Sequence, residues 1–128
     1  MDLASEFDGA QGICTLHVKG EFVGSSDSHE AQRVVADCYT KHGCTRFLID
    51  MTEAKVVPGT MSLYDAGDPQ GDVAQRLKAA RSAFLVPQVT GNARFFENVA
   101  TNRGYTVRLF DNREEAIKWL ASPRGGNR

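Results

Sequence analysis

A chain of 128 residues is one domain's worth, enough to bury roughly two-thirds of its unfolded surface around a single core. With charged residues at 24% and a formal net charge of -1, it has no basic excess to attract nucleic acid and no general attraction to anionic lipid. No apolar run approaches the ~20 residues of a membrane span, and MDLASEFDGAQG lacks the basic and apolar regions of a secretory signal. Three cysteines, Cys14, Cys38 and Cys44, form no CxxC and no disulfide framework, which reads as a cytoplasmic, reducing setting.

Short apolar runs alternate with amphipathic stretches along the chain, the signature of successive βα units. Leu3 to Phe7 reads as a weak first strand that turns at Asp8 and Gly9 into ICTLHVKGEFV. In that second strand Cys14, Leu16 and Val18 alternate with Thr15, His17 and Lys19, as in a strand buried on one face. The alternation predicts that Thr15, His17, Lys19, Thr106 and Arg108 lie on a helix-free side. The first helix carries Asp27 as its predicted N-cap, Glu30 three residues on, a stripe of Ala31, Val34, Val35, Cys38 and Tyr39, and Gly43 as a left-handed stop.

TRFLIDM follows as a strand ending in Asp50. Pro58 and Gly59 then break the chain, and Thr60 can cap a helix begun by Met61, Leu63 and Tyr64. Gly67, Pro69 and Gly71 interrupt that helix before Val73, Leu77 and Ala80 resume a helical stripe, so the segment around Gly67 to Gly71 is expected to be the most mobile internal one. Ser82 to Val86 reads as a strand, Asn92 to Arg103 as a helix stopped by Gly104, and Tyr105 to Phe110 as the last strand. Asp111 and Glu114 make a second predicted capping pair, ahead of a final helix anchored by Ala116, Ile117, Trp119 and Leu120. A single domain over residues 1–121 is expected, with 122–128 as a disordered tail.

The element order, with FLIDMTEAKVVPGTMSLYDAG, ARFFENVATNRGYTVRLF and EEAIKWL, resembles the SpoIIAA-like proteins of the STAS type, the sulfate-transporter and anti-sigma-factor-antagonist fold. FDNREEAIKWL and the NRG before the last strand look like a stand-alone branch of that family, distinct from true sporulation antagonists. The resemblance implies an α/β fold wound as a βα superhelix. Its sheet would be mixed, mostly parallel and of about five strands, with helices packed mainly on one face. It further implies a non-enzymatic regulatory or protein-interaction domain, partnered by another protein or by itself as a homodimer; no cofactor and no metal are expected from the residues.

In true antagonists an Asp-Ser or Ser-Ser pair opens the helix after the third strand, and a kinase phosphorylates the serine. Here Pro58, Gly59 and Thr60 stand at that place, so the Asp-Ser signature is absent; Thr60 and Ser62 are the nearest candidate phospho-acceptors. A phosphate at a helix N-terminus is favoured by the dipole and the free N–H groups, and an ordinary Thr cap is the simpler use of the same position.

The remaining chemistry is sparse. Cys38, His42 and Cys44 have a superficially metal-like spacing, but Cys38 lies on the buried stripe and no second Cys/His pair completes a zinc site. His17, Lys19, Arg46 and Arg108 can share the open sheet face and suit an anionic partner. Asp50 sits at a strand's carboxyl end, where α/β proteins bind ligands. No P-loop, GxGxxG, HExxH or GxSxG is present. The alternative to a protein-interaction domain is a binder of a small apolar or lipid-like ligand in a gap beside the interrupted helix. That gap would be lined by Tyr64, Val73, Leu77, Phe95 and Phe96, which with Asp50 and Asn92 make the candidate ligand or partner surface under either reading.

Overall fold

The computed structural model describes residues 2–22, 24–56, 75, 76, 78–89, 91–102 and 104–122. Five strands form one sheet in the order of the sequence: β1 (Asp2–Asp8), β2 (Ile13–Phe22), β3 (Arg46–Val56), β4 (Arg81–Leu85) and β5 (Thr106–Phe110). β1 runs antiparallel to β2, and every later pair is parallel. Among the described residues they are accompanied by the helices α1 (Gly24–His42), α2 (Gly91–Asn102) and α3 (Arg113–Ala121). The expected α/β fold with a mixed, mostly parallel five-stranded sheet is thus present.

Turn chemistry starts the sheet. Asp8 accepts hydrogen bonds from the Ala10 and Gln11 N–H groups through Oδ1, and the Gly12 N–H closes back onto the Asp8 carbonyl at 2.8 Å. Gly12 has φ of 67°, a left-handed conformation that a side chain would strain, so the hairpin needs glycine there.

One face of the sheet carries Cys14, Leu16, Val18, Phe47 and Ile49, all buried against Val35 and Cys38 of α1. The α1 stripe read from the sequence therefore points inward, and Gly43, at φ of 63°, ends the helix with its N–H on the Tyr39 carbonyl. The predicted N-cap is corrected: α1 begins at Gly24, which puts Asp27 in its first turn, where a carboxylate still complements the helix dipole.

The second face is not left bare. Ile13, Leu48, Ala83 and Leu85 form a second core with Ala116, Trp119 and Leu120 of α3. Predominantly one-sided helix packing therefore needs this qualification, and the helix-free side fails at Thr15. That residue is only 8% exposed and shares a cleft with Leu48, Arg113 and Ile117. The physical reason is that β2 needs cover where Ile13 and Leu48 would otherwise meet water, and α3 supplies it. His17 is partly exposed, while Lys19, Thr106 and Arg108 are exposed, in keeping with the alternation.

Arg81 locks α3 down. It is 6% exposed, and its guanidinium donates to the carbonyls of Trp119 at 2.7 Å and Ser122 at 2.9 Å while lying over the Trp119 ring. A buried cation is tolerated there because it meets the carbonyls at the negative end of the α3 dipole, where Trp119 also accepts from the Ser122 N–H and hydroxyl. At the other end of α3 the N-cap is Asn112, not the predicted Asp111: Asn112 Oδ1 accepts from the Glu115 N–H at 3.1 Å. The capping spacing is one residue later than the sequence reading placed it.

Candidate functional site

Beyond the first turn of α3 the second face opens into a groove of about 580 Å³ lined by Ala4, Ser5 and Glu6 of β1, His17 and Lys19 of β2, and Asp50, Thr52 and Glu53 of β3. Strand register assembles it. His17 pairs with Asp50 across the parallel β2–β3 ladder, and in the hairpin Ala4 lies opposite His17, with Glu6 one same-face step along.

A register shift between His17 and Lys19 matters most. Two residues of β2 match three of β3, so Lys19 faces Glu53. In a regular strand Asp50 and Glu53, an odd number apart, point to opposite faces; one extra residue brings both to the groove.

The side chains in this corner hold one another. His17 Nε2 lies 2.9 Å from Glu6 Oε1, and His17 Nδ1 lies 3.5 Å from Asp50 Oδ2. Asp50 Oδ1 accepts from the Thr52 hydroxyl at 2.6 Å and the Thr52 N–H at 3.0 Å, while Arg113 Nη1 stands 3.6 Å from its other oxygen. Lys19 reaches Glu53 at 3.4 Å. Burial alone raises the Asp50 pKa, but the two Thr52 hydrogen bonds and the nearby His17 and Arg113 outweigh it and hold the carboxyl below its ordinary value. Asp50 is therefore ionised at neutral pH and a poor proton acceptor.

Of the residues picked out from sequence, Asp50, His17 and Lys19 meet in this groove. Arg46 and Arg108 do not line it; the Arg108 guanidinium lies over the Phe110 ring. Cys38, His42 and Cys44 are not gathered either. Cys38 Sγ contacts Cys14 Sγ at 2.8 Å, Cys44 Sγ donates to the Arg46 carbonyl, and His42 stacks on Phe7 with ring centroids 4.3 Å apart. Burial pushes the Cys14 and Cys44 thiols up, away from the thiolate a metal needs. Among the described residues, no group of three or more His, Cys, Asp and Glu is placed to hold a metal ion.

Thr60, Ser62, Tyr64, Val73 and Leu77 lie outside the described residues, as do the segment expected to be most mobile and the tail from 123 to 128. Asn92, Phe95 and Phe96 fall on α2, and their side chains are outside the described residues too. Sequence reasoning missed Glu6 and Arg113. The signal for Glu6 was the turn DGAQG: a hairpin closed there sets Glu6 against Thr15 and beside His17.

No family model matches this chain, and no curated protein matches it. Solved structures do. An uncharacterised protein of the DUF3478 family from Shewanella loihica PV-4, described as having a SpoIIAA-like fold, superposes with a TM-score of 0.55 at 14% identity, covering 93% of this chain and 92% of that one. The anti-sigma factor antagonist SpoIIAA in its unphosphorylated form superposes with a TM-score of 0.56 at 12% identity, covering 95% of this chain and 100% of that one. The chain has the SpoIIAA-like, STAS-type fold that its element order resembles. No described helix is long and apolar enough to cross a membrane.

Proposed function

We propose that this chain is a non-enzymatic regulatory domain that acts by binding a protein partner. The observation that carries the reading is the likeness of its fold, over 95% of its length, to the whole of an anti-sigma factor antagonist. Fold alone does not decide function, so the groove's chemistry is the second support. Its ionisable groups are matched with one another: His17 with Glu6 and Asp50, Arg113 with Asp50, Lys19 with Glu53. Such an arrangement fixes the shape and charge of a surface. Both ring nitrogens of His17 are turned to carboxylates, Glu6 and Asp50, and not to a hydroxyl or thiol that a general base would activate.

The test is a pull-down with the tagged full chain from its own host, followed by native mass spectrometry. One partner retained in fixed stoichiometry, and released by a chain carrying both His17→Ala and Asp50→Asn, is the expected result. A retained small molecule with no protein partner overturns the reading in favour of a ligand carrier.

A further inference from the structure

The sheet has two edges, finished differently. On the β5 side, Glu97 of α2 accepts a hydrogen bond from the Leu109 N–H at 2.8 Å, so the chain's own helix engages that strand's outward backbone. On the other side β1 is the outermost strand, paired with β2 alone, and six of its seven residues are exposed. Among the described residues nothing pairs with its outer edge. An open row of N–H and C=O groups is a template for another strand.

The two faces of β1 say what that strand must look like. Leu3, Ser5 and Phe7 share the face of the buried Val18, Leu16 and Cys14, their partners in register. Phe7 is 38% exposed, the large apolar side chain left in water among the described residues, and it is held flat by its stack on His42. Asp2, Glu6 and Asp8 point the other way and make an acidic rim, with Glu6 lining the groove that holds Asp50 and Glu53 and Asp8 lining the adjoining cleft. Carboxylates outnumber cations along this rim, although the whole chain is close to neutral.

We infer that β1 is a docking edge for an extended segment of a partner protein in which apolar residues alternate with lysine or arginine, added as a sixth strand. This rests on the protein-binding reading above and names the surface. Main-chain hydrogen bonds supply the attachment, Leu3 and Phe7 receive the apolar positions, and the acidic rim receives the basic ones. A second copy of this chain is the wrong occupant. Two β1 strands paired antiparallel about Ser5 set Asp2 against Asp8 twice and offer Glu6 no new cation, and like charges directly opposite are destabilising.

The experiment uses the full chain labelled with nitrogen-15 and a capped seven-residue peptide alternating lysine with valine or phenylalanine; a peptide with glutamate in place of lysine is the control. The lysine peptide is expected to shift amide signals of β1 and the adjoining β2 saturably and to slow hydrogen exchange at the outward β1 amides. Raised salt should weaken it. Phe7→Ala and Asp2→Lys, both at exposed positions and checked for an unchanged spectrum elsewhere, should each weaken binding by roughly fivefold or more. Equal binding of the glutamate peptide, shifts that map away from β1, no saturable shift with either peptide, or sedimentation showing a dimer joined through β1 would each overturn the inference. A natural partner whose hydrogen-exchange footprint lies away from β1 removes this edge and leaves the protein-binding reading standing. Absence of any partner removes that reading, while the peptide titration still judges the edge.

Discussion

On one face of the sheet Cys14, Leu16, Val18, Phe47 and Ile49 lie beneath α1; on the other, Ile13, Leu48, Ala83 and Leu85 lie beneath α3, and the cover ends before His17 and Asp50. The helices differ in reach. α1 has 19 residues and α3 has nine, so at 1.5 Å per residue they extend about 28 and about 14 Å, whereas the 11 residues of β3 extend about 36 Å. A nine-residue helix cannot roof a strand of that length. Among the described residues no helix covers the remainder of the second face, and its side chains are paired polar and charged groups. The candidate site is the place where the second layer runs out.

The sharpest way to break this comparison is to cut into each region in turn. Phe47→Ala, at a residue 1% exposed, should cost about 3–5 kcal/mol, and Leu48→Ala, at a residue that is 0% exposed on the opposite face, about 2–5 kcal/mol. His17→Ala, in the groove, should cost less than about 1 kcal/mol, as removal of a partly exposed hydrogen-bonded side chain does. Urea denaturation midpoints measure all three. If His17→Ala costs as much as Leu48→Ala, the groove is core and the division of the second face is wrong.

A smaller effect tests what fastens the shorter helix. Arg81→Ala removes a charged donor from the Trp119 and Ser122 carbonyls, of which Trp119 keeps the Ser122 N–H and hydroxyl, and should cost about 1.5–3 kcal/mol. The chain has one tryptophan, Trp119, so its fluorescence reports α3 alone, and a red shift at low urea before the far-ultraviolet signal changes is the expected signature. Arg81→Lys should recover only part of the loss, because an ammonium cannot span several carbonyls as a guanidinium does. An unshifted Trp119 in Arg81→Ala would show that α3 is held by its apolar face alone.

Smaller still is the cap at the start of α3. Asn112→Ala should cost about 1 kcal/mol, and Asp111→Ala should stay within about 0.5 kcal/mol, since only Asn112 accepts the Glu115 N–H. Reversed values would restore the capping assignment made from the sequence.

That reversal of one residue illustrates what the chain's own pattern could convey. Strand and helix identities followed from apolar period and from glycine stops, because burial imposes those periods locally; Gly43 and Gly104 both take the left-handed conformation their positions suggested. Helix starts were less legible. Asp27 and Asp111 each have a capping residue type near the right place, and only three-dimensional geometry chooses among neighbours such as Asp111 and Asn112. Period-2 alternation could also mark which residues share a face of β2, but not how far α3 extends over that face, so Thr15 was misplaced while His17 was not. The groove was half visible. Asp50 and His17 were each singled out, yet Glu6 and Arg113 come from a hairpin and a helix distant in sequence, and the register shift that turns Glu53 inward has no local signature.

The smallest expected effect separates the two regions by pH. The groove's stability contribution is electrostatic, and the apolar core's is not. Asp50 has a folded-state pKa below its unfolded value of roughly 4, so its contribution is fully present above that value and is lost as pH falls through the folded pKa. Asp50→Asn keeps the side-chain shape but cannot ionise. At pH 7 the variant should therefore be less stable than the parent by about 0.5–1 kcal/mol, a small figure because water screens the partly exposed His17 and Arg113 that face the carboxylate. As pH is lowered from about 5 to about 2, the parent's advantage should shrink toward zero. The loss from Leu48→Ala, set by apolar contact, should stay constant over the same range as long as both proteins remain two-state. Urea midpoints of the three proteins in a pH series read this out. A parent-to-Asp50→Asn difference that stays level down to pH 2 would mean that Asp50 is held by the neutral hydrogen bonds of Thr52 and not by its charge. The surface offered to a partner would then be set by shape more than by the field of its paired ions.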